Sequence, residues 1–450
     1  MILKRQHGLI VSICFVVGFI VGTGIFFLPG RVLYEVGGNT ALGTLAWIIG
    51  GFMIAPIVLV FGIMATKYEK IHGFVDYSEA LVGKKYGYLA GWFFAVMYQP
   101  AGYAIIAWIT SGFTATLVGI SSGSGEYLAF RFFAAAFFMV FTFMINYFAP
   151  NLPVKFNVAT TVARLVPLVA MGTVGVVIGL FFAGPAEVFI VSEVKGGASV
   201  FAAISATAFA FNGWQAALAF NSEIKDSKRK FPIALLGGFC VVAIVYVLYF
   251  VGIAAALGEN IDIIMAGGGA NFADGTRVAF ENVFGTWAAR LLVFFMIMSG
   301  LGILNACCLG MGRAMYSLGR RGLGPASSRT VLLDADTNVP NNSMVMAVGI
   351  SFLWYAVIFA NSFVFRGFTF SLPDFYNFSF FALLIPIFVC FAIKTKEFAF
   401  LKRFLLPSLA IGGAGFMFMS YWLGSLTHAI VYVCVFVVLG LVGMLFYRKN

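Results

Sequence analysis

Two apolar segments of this 450-residue chain are interrupted by glycine and polar residues. The first interruption reads Gly22-Thr23-Gly24-Ile25, and the second reads Phe209-Ala210-Phe211-Asn212-Gly213. Glycine permits a helix to unwind, and unwinding frees backbone N–H and C=O groups that lipid cannot satisfy. Half-helix N-termini attract an anionic group and freed carbonyls attract a cationic one. The chemistry that these residues favour is therefore the binding of a zwitterion such as an α-amino acid.

Close helix packing is the alternative explanation, because small residues also line helix interfaces in membranes. Gly22 lies about 13 residues, or ~20 Å, into its segment, and Asn212 lies about as deep from the opposite face. The second interruption comes five predicted helices after the first, which is the offset of a five-plus-five repeat. The pairing favours a binding site near the middle of the membrane.

Arg164 is a cation deep inside another apolar segment. It lies about ten residues, or ~15 Å, from the start of that segment, near the middle of a ~30 Å hydrocarbon layer. A charge at that depth is costly and indicates a function. An arginine keeps its proton, so we expect a fixed positive charge. The alternative is an arginine that reaches the interface or makes a structural pair. Arg131, near the end of its segment, is expected to anchor at the surface.

Residue clusters that would indicate catalysis or metal binding do not occur in the sequence. The six cysteines form no CxxC pair, and the three histidines are dispersed at segment ends or in loops. We predict no metal, no cofactor and no enzymatic activity. The net charge of +11 comes from basic residues in short loops, so we also predict no nucleic-acid partner. A channel is disfavoured because no filter or charged ring is visible.

Membrane-spanning helices must position these residues. Hydrophobic residues make up 62% of the chain and charged residues 10%, which excludes a set of soluble domains, a disulfide scaffold and a disordered chain. A helix needs about 20 apolar residues to cross a bilayer. We predict an all-α polytopic membrane protein with twelve spans at about 9–33, 41–65, 87–118, 128–149, 155–183, 198–222, 232–257, 285–312, 344–363, 374–393, 403–422 and 427–447.

The loop charges predict the orientation of these spans. Of the 28 lysines and arginines, 21 fall in segments on the side of the N-terminus and five fall on the other side, with Arg131 and Arg164 inside helices. The positive-inside rule then places both termini in the cytoplasm. The apolar run after the basic N-terminus is long and has no cleavage-like site, so we expect a first membrane helix rather than a signal peptide.

Several motifs, in order and at consistent spacing over about residues 8–395, resemble the amino acid–polyamine–organocation (APC) superfamily. They are Gly22-Thr23-Gly24-Ile25-Phe26 with Pro29-Gly30, Phe209 to Trp214 running on to Glu223, Lys225 and Phe231-Pro232, Gly312-Arg313 to Gly322, Gly73 to Ala80, and Gly87 to Trp92. The Phe-Ala-Phe-x-Gly-Trp motif looks closest to the L-type amino acid transporters and their bacterial relatives. The resemblance implies a leucine-transporter-type fold in which the first and sixth helices are discontinuous. It also implies inverted repeats over 1–183 and 198–395, with two peripheral spans over 400–450.

The resemblance also implies a substrate site between the first and sixth helices. Backbone N–H groups of the first break would hold a carboxylate, carbonyls of the second would hold an ammonium group, and Phe209 matches an aromatic residue that closes over the substrate. Relatives often carry a lysine at the position of Arg164. A fixed charge there would substitute for sodium and tie the fifth helix to carbonyls of the first. The implied binding residues are Gly22, Thr23, Gly24, Ile25, Tyr98, Phe209, Ala210, Phe211, Asn212, Gly213 and Gln215.

The side-chain region of this site is expected to be uncharged, because Asn212 and Gln215 are neutral and the membrane cores contain no acids. We predict a sodium-independent exchanger or facilitator of neutral amino acids in the plasma membrane. The substrates would be small if Tyr98 or Trp214 narrows the site. A proton-coupled symporter and a cationic amino acid or polyamine antiporter are the alternatives. The sequence leaves open a single-pass partner subunit and the choice between monomer and homodimer.

Overall fold

A computed structural model shows that the described part of the chain is built from helices. It describes residues 8–67, 73–120, 124–149, 152–178, 199–219, 224, 226–258, 264, 272–334, 339–363, 370–424 and 426–447. Within these ranges no β-strand occurs. The predicted all-α class is confirmed. Glu223, Lys225 and the segment 179–198, which joins the two proposed repeats, lie outside the described residues.

The helices follow the predicted spans closely. A short helical turn at Ser327–Thr330 and the π-helical turns Phe94–Tyr98, Met171–Gly175 and Leu401–Leu405 interrupt or connect them. In chain order they are α1 (Leu9–Ile20), α2 (Gly24–Glu35), α3 (Thr40–Lys67), α4 (Phe74–Leu81), α5 (Lys84–Leu117), α6 (Glu126–Phe148), α7 (Leu152–Ala170), α8 (Val200–Ala210), α9 (Trp214–Ala219), α10 (Ser227–Leu257), α11 (Phe272–Arg320), α12 (Asn341–Phe363), α13 (Leu372–Lys394), α14 (Leu406–Gly424) and α15 (Leu426–Leu445). Helix α11 is broken by a kink at Gly285, whose backbone is not helical (φ 84°, ψ 169°).

Nine helices in the described part of the chain are long and apolar enough to cross a membrane. A tenth span is formed by α1 and α2 together, which meet at an angle of 56°. The predicted spans 155–183 and 198–222 contain α7, α8 and α9 but extend into residues that the structure does not describe. A polytopic membrane protein is therefore confirmed, while the count of twelve and the five-plus-five repeat stay predictions.

Small residues on α3 allow it to lie close to α10 and to α8, the helix that ends at the second interruption. Gly43 lies against the ring of Phe250 on α10, and Gly50 lies against the side chain of Thr207 on α8, where an added Cβ would overlap either neighbour. Helices without a hydrophobic driving force between them depend on such close packing. The contacts fix α8 and α10 on one face of α3.

Helix α14 also packs on this central group. Gly413 of α14 contacts the backbone of Met53 on α3, and the hydroxyls of Ser205 on α8 and Ser420 on α14 form a hydrogen bond. Helix α15, in contrast, exposes much of its apolar surface. Lipid is the environment in which such a surface is stable.

Helix α5 is anchored at its N-terminal half and carries a π-helical turn at Phe94–Tyr98. Tyr88 Oη donates to the carbonyl oxygen of Gly443 on α15 (2.6 Å), and Trp92 Nε1 donates to that of Leu439 (2.9 Å). The remainder of α5, after the turn, packs against α11 and α13. Single π turns inside helices frequently occur at functional sites.

Arg131 is not the surface anchor expected from the sequence. Its guanidinium lies 3.7 Å from the ring centroid of Trp108 on α5 and donates to the carbonyl oxygen of Trp108 (2.8 Å). The planar guanidinium stacks on an aromatic face while it forms this hydrogen bond. The residue therefore joins α6 to α5.

Candidate functional site

The first helix break separates α1 from α2. Val21 is extended (φ −67°, ψ 107°), and α2 begins again at Gly24. Thr23 is completely buried, and in the described part of the chain its Oγ1 has no hydrogen-bond partner. A buried hydroxyl without a partner is costly in a native structure. The break therefore offers unsatisfied polar groups beside the N-terminus of α2.

The second break separates α8 from α9 at Phe211, Asn212 and Gly213. Gly213 has φ +105°, a conformation that side chains rarely adopt, and a Cβ there would overlap the carbonyl oxygen of Phe19 on α1. Glycine is required at this position both by its backbone conformation and by the contact. The two breaks thus lie directly against each other.

Tyr246 of α10 joins the two breaks and was missed by sequence reasoning. Its hydroxyl lies 3.3 Å from the carbonyl oxygen of Ile20, at the end of α1, and 3.3 Å from that of Ala210, at the end of α8. One sequence gives no indication of this role, because a tyrosine adds only a single hydroxyl group to an otherwise apolar helix. The residue supplies a donor to carbonyls that the breaks leave unsatisfied.

Arg164 lies beside the first break, as the sequence predicts. It is 3% exposed, its Nη1 donates to the carbonyl oxygen of Val21 (2.6 Å), and its Nη2 donates to Thr161 Oγ1 (2.6 Å). The expected contact between the fifth helix and a carbonyl of the first is present. The side chain does not extend to the interface, since it ends on the backbone of the break.

An uncharged polar cluster lies next to the second break. Gln215 Oε1 accepts from the backbone N–H of Gly213 (2.8 Å), and Gln215 Nε2 lies 3.3 Å from Tyr98 Oη and 3.4 Å from Asn212 Oδ1. Asn212 Nδ2 donates to Asn377 Oδ1 on α13 (2.6 Å). Three residues expected at the site, Tyr98, Asn212 and Gln215, are therefore brought together.

Aromatic rings cover the space between the first break and this cluster. The Phe209 ring lies 3.1 Å from the position of a Cβ on Gly24, and its centroid is 6.3 Å from Phe27 and 6.1 Å from Tyr376. Tyr376 in turn stacks on Tyr98 at 4.2 Å. Phe209 therefore lies against the first break, and its role as an aromatic residue that closes over a substrate stays a prediction. Tyr376 and Asn377 were missed, although two polar residues inside an apolar helix were a visible signal.

Three expected residues turn their side chains away from this space. Phe211 packs on Trp47 (5.8 Å) and Tyr246 (5.4 Å), and Ile25 is completely buried. Trp214 packs on Phe61 (5.1 Å) with 1% of its surface exposed. For Trp214 the structure shows helix packing, so of the two aromatic residues expected to narrow the site only Tyr98 lies in the cluster.

The arrangement contains no candidate metal centre: across the described ranges no three His, Cys, Asp or Glu side chains lie close enough to hold an ion. A sequence model of amino acid permeases matches residues 8–448, nearly the whole chain. This chain belongs to the amino acid permease family. It is an amino acid transporter and a multi-pass membrane protein, as the helices and the resemblance to the APC superfamily indicate.

Characterised relatives are similar over most of the described core. The chain is 28% identical to the serine/threonine exchanger SteT of Bacillus subtilis over 71% of its length and 69% of the relative's. It is 27% identical to the glutamate/serine transporter AimA of B. subtilis over 57% and 49% of the two chains. It is 27% identical to the rabbit (Oryctolagus cuniculus) b(0,+)-type amino acid transporter 1 over 71% and 64%. The match thus spans about half to two thirds of these relatives' lengths.

Proposed function

We propose that this chain is a secondary transporter that moves small neutral L-amino acids across the plasma membrane by alternating access. Transport is sodium-independent and proceeds by exchange or by facilitated passage. The names of the relatives support an amino acid substrate and include an exchanger. The residues at the two helix breaks support the remaining parts of the proposal.

The breaks present opposite polarities to a zwitterion. The N–H groups of Gly22, Thr23 and Gly24 bind the α-carboxylate at the N-terminus of α2, where the helix dipole favours negative charge. The buried Thr23 hydroxyl, which has no partner in the described structure, adds a donor there. Carbonyls around Phe209 to Phe211, at the C-terminal end of α8, bind the ammonium group. Closure of Phe209 over Gly24 excludes water from the outer side.

Side-chain selectivity favours neutral substrates. The groups that face one another beside the second break are the Tyr98 hydroxyl and the amides of Asn212, Gln215 and Asn377. A cationic side chain would lose its hydration without gaining a carboxylate partner, which is strongly unfavourable. This contrast disfavours a cationic amino acid or polyamine antiporter.

The contact of Arg164 with the Val21 carbonyl carries the proposal of sodium independence. The guanidinium supplies a permanent positive charge to the freed backbone of the first break. Tyr246 adds a donor to the carbonyls of Ile20 and Ala210. Carbonyl oxygens are the ligands that a sodium ion would use. At the first break Arg164 already donates to that of Val21, and the single hydroxyl proton of Tyr246 can be donated to that of Ile20. Because arginine does not release its proton, Arg164 is also unsuited to carry protons in a symport cycle.

The repeats over 1–183 and 198–395, the segment 400–450 and the cytoplasmic termini are part of the same proposal. Labelling of single cysteines in closed vesicles tests the orientation, since both termini must react from one side.

Another relative, the large neutral amino acids transporter small subunit 2 of Mus musculus, is 24% identical over 75% of this chain and 62% of its own length. Its name describes it as a small subunit, which means that this relative assembles with another chain. Transport by the purified chain alone would show that this protein requires no partner subunit.

Uptake into proteoliposomes tests the function. Vesicles with the purified chain, preloaded with unlabelled serine or left empty, receive a panel of radiolabelled amino acids in sodium or in choline buffer. We expect uptake of small neutral amino acids in both buffers and faster uptake into preloaded vesicles if exchange dominates. Strong dependence on sodium, or acidification of the lumen with uptake, would contradict the proposed coupling. Uptake of arginine or putrescine alone would contradict the substrate class.

A further inference from the structure

Helix α13 contributes two residues, Tyr376 and Asn377, to the side-chain end of the site. Asn377 is 2% exposed and accepts a 2.6 Å hydrogen bond from Asn212 at the second break. Tyr376 stacks on Tyr98 at 4.2 Å. The amides of Asn212, Gln215 and Asn377 together with the Tyr98 hydroxyl are called the amide cluster below.

Gln215 is the member of the amide cluster whose donors are poorly used. Its Oε1 accepts a 2.8 Å hydrogen bond from the N–H of Gly213, which fixes the direction of the side chain and points Nε2 into the cluster. The contacts of Nε2 with Tyr98 Oη and Asn212 Oδ1 are long, at 3.3 Å and 3.4 Å. Hydrogen bonds of this type are most favourable near 2.9–3.0 Å. A substrate oxygen that approaches Nε2 would replace two weak bonds with a strong one.

We infer that the amide cluster selects neutral amino acids whose side chain carries an oxygen, either a hydroxyl or a carboxamide, over aliphatic side chains of the same size. The inference rests on the proposed function and names its substrate class. Gln215 Nε2 donates to the side-chain oxygen, and Asn377 holds Asn212 in place to complete the polar wall. The stacked rings of Tyr98 and Tyr376 limit the depth of the pocket, so short side chains fit.

An aliphatic substrate would separate the amide cluster without replacing its hydrogen bonds. A donor that is buried without a partner costs free energy, and this cost would weaken binding of the substrate by roughly tenfold to hundredfold. Threonine and valine form the sharpest comparison, because they have similar shape and differ by a hydroxyl in place of a methyl group. The expected preference for threonine over valine is therefore about tenfold or more in exchange efficiency.

Competition in proteoliposomes measures this preference. Exchange of labelled serine is competed with threonine, valine, asparagine and leucine, and the inhibition constants are compared. Threonine and asparagine should compete at least about tenfold better than valine and leucine. Equal competition by threonine and valine would overturn the inference and leave the proposed function in place. Absence of exchange with every amino acid would overturn the proposed function itself.

Two variants assign the preference to the amide cluster. Gln215→Met keeps the length of the side chain and removes its Nε2 donors together with the Oε1 that accepts from Gly213, and Asn377→Leu removes the acceptor for Asn212. Each should bring the threonine-to-valine ratio close to one through loss of threonine binding, while valine still competes. Asn342→Leu, at an exposed amide on α12, is the matched control and should keep the parental ratio. If Asn377→Leu fails to fold, Gln215→Met decides, and an unchanged ratio in that variant refutes the inference.

Discussion

Replacement of Arg164 by methionine should slow transport by roughly tenfold to hundredfold while the protein stays folded. The 2.6 Å hydrogen bond to the Val21 carbonyl joins α7 to the first break, whereas the bond to Thr161 stays within α7. A hydrogen bond from a charged donor contributes about 1.5–3 kcal/mol. The side chain is 3% exposed, so solvent screens this contribution little. One factor of ten corresponds to about 1.4 kcal/mol, which gives the expected range.

The assay is exchange of radiolabelled serine in proteoliposomes, with the melting temperature of each variant measured in detergent. Arg131→Met is the matched control, since Arg131 is also packed among helices and also bonds to a backbone carbonyl, that of Trp108, far from the breaks. Arg164→Lys should show an intermediate rate because it keeps the charge and loses the forked geometry. Exchange by Arg164→Met within about twofold of the parent, or an equal loss in Arg131→Met, would refute the assignment.

Three further outcomes follow from the same contacts. Gly213→Ala should abolish exchange, because Gly213 has φ +105° and a Cβ there would overlap the carbonyl oxygen of Phe19, next to the first break. Gly412→Ala is the control and should exchange normally, because Gly412 has open space around it. Initial rates of exchange measure both. Tyr246→Phe should reduce the exchange rate by about twofold to tenfold, since its two 3.3 Å contacts are those of a neutral donor, and an exchange rate equal to the parent's would count against hydroxyl occupation of the carbonyls. A hydrogen bond from Lys67 holds the pKa of Glu397 below its ordinary 4.5, so its stabilising effect is present at neutral pH and is lost as the pH falls through that lowered value. Glu397→Gln should therefore melt slightly below the parent at neutral pH, the difference should disappear once the pH is below the lowered pKa of Glu397, and a difference that persists in acid would contradict the ion pair.

The helices and their breaks could be predicted because each rests on a local property of the sequence. Apolar runs of about 20 residues predict spans, and a glycine pair around Thr23 or a glycine after Asn212 predicts unwinding. Arg164 was predictable for a different reason: a charge in an apolar run must find a partner, and the resemblance to the APC superfamily implied that this partner would be a carbonyl of the first helix.

The residues that sequence reasoning missed depend on contacts between distant parts of the chain. Tyr246 matters because α10 passes both breaks, and nothing within α10 itself indicates this. Asn377 becomes significant only when α13 lies against Asn212, 165 positions earlier. Trp214 belongs to a family motif, yet packing against Phe61 decides where its ring lies. Helix-to-helix packing, which one sequence does not encode locally, determines all three.

The π-helical turn at Phe94–Tyr98 has a consequence for comparing this chain with its relatives. A π turn closes its hydrogen bonds over one residue more than an α turn, so this stretch accommodates an additional residue without lengthening the loops. Deleting one residue there would restore a regular α-helix and leave the two halves of α5 in about their present orientation, with Tyr88 and Trp92 still facing α15. A relative without the turn should therefore align with a one-residue gap inside a membrane helix, and chimaeric exchanges joined across 94–98 should preserve that extra residue.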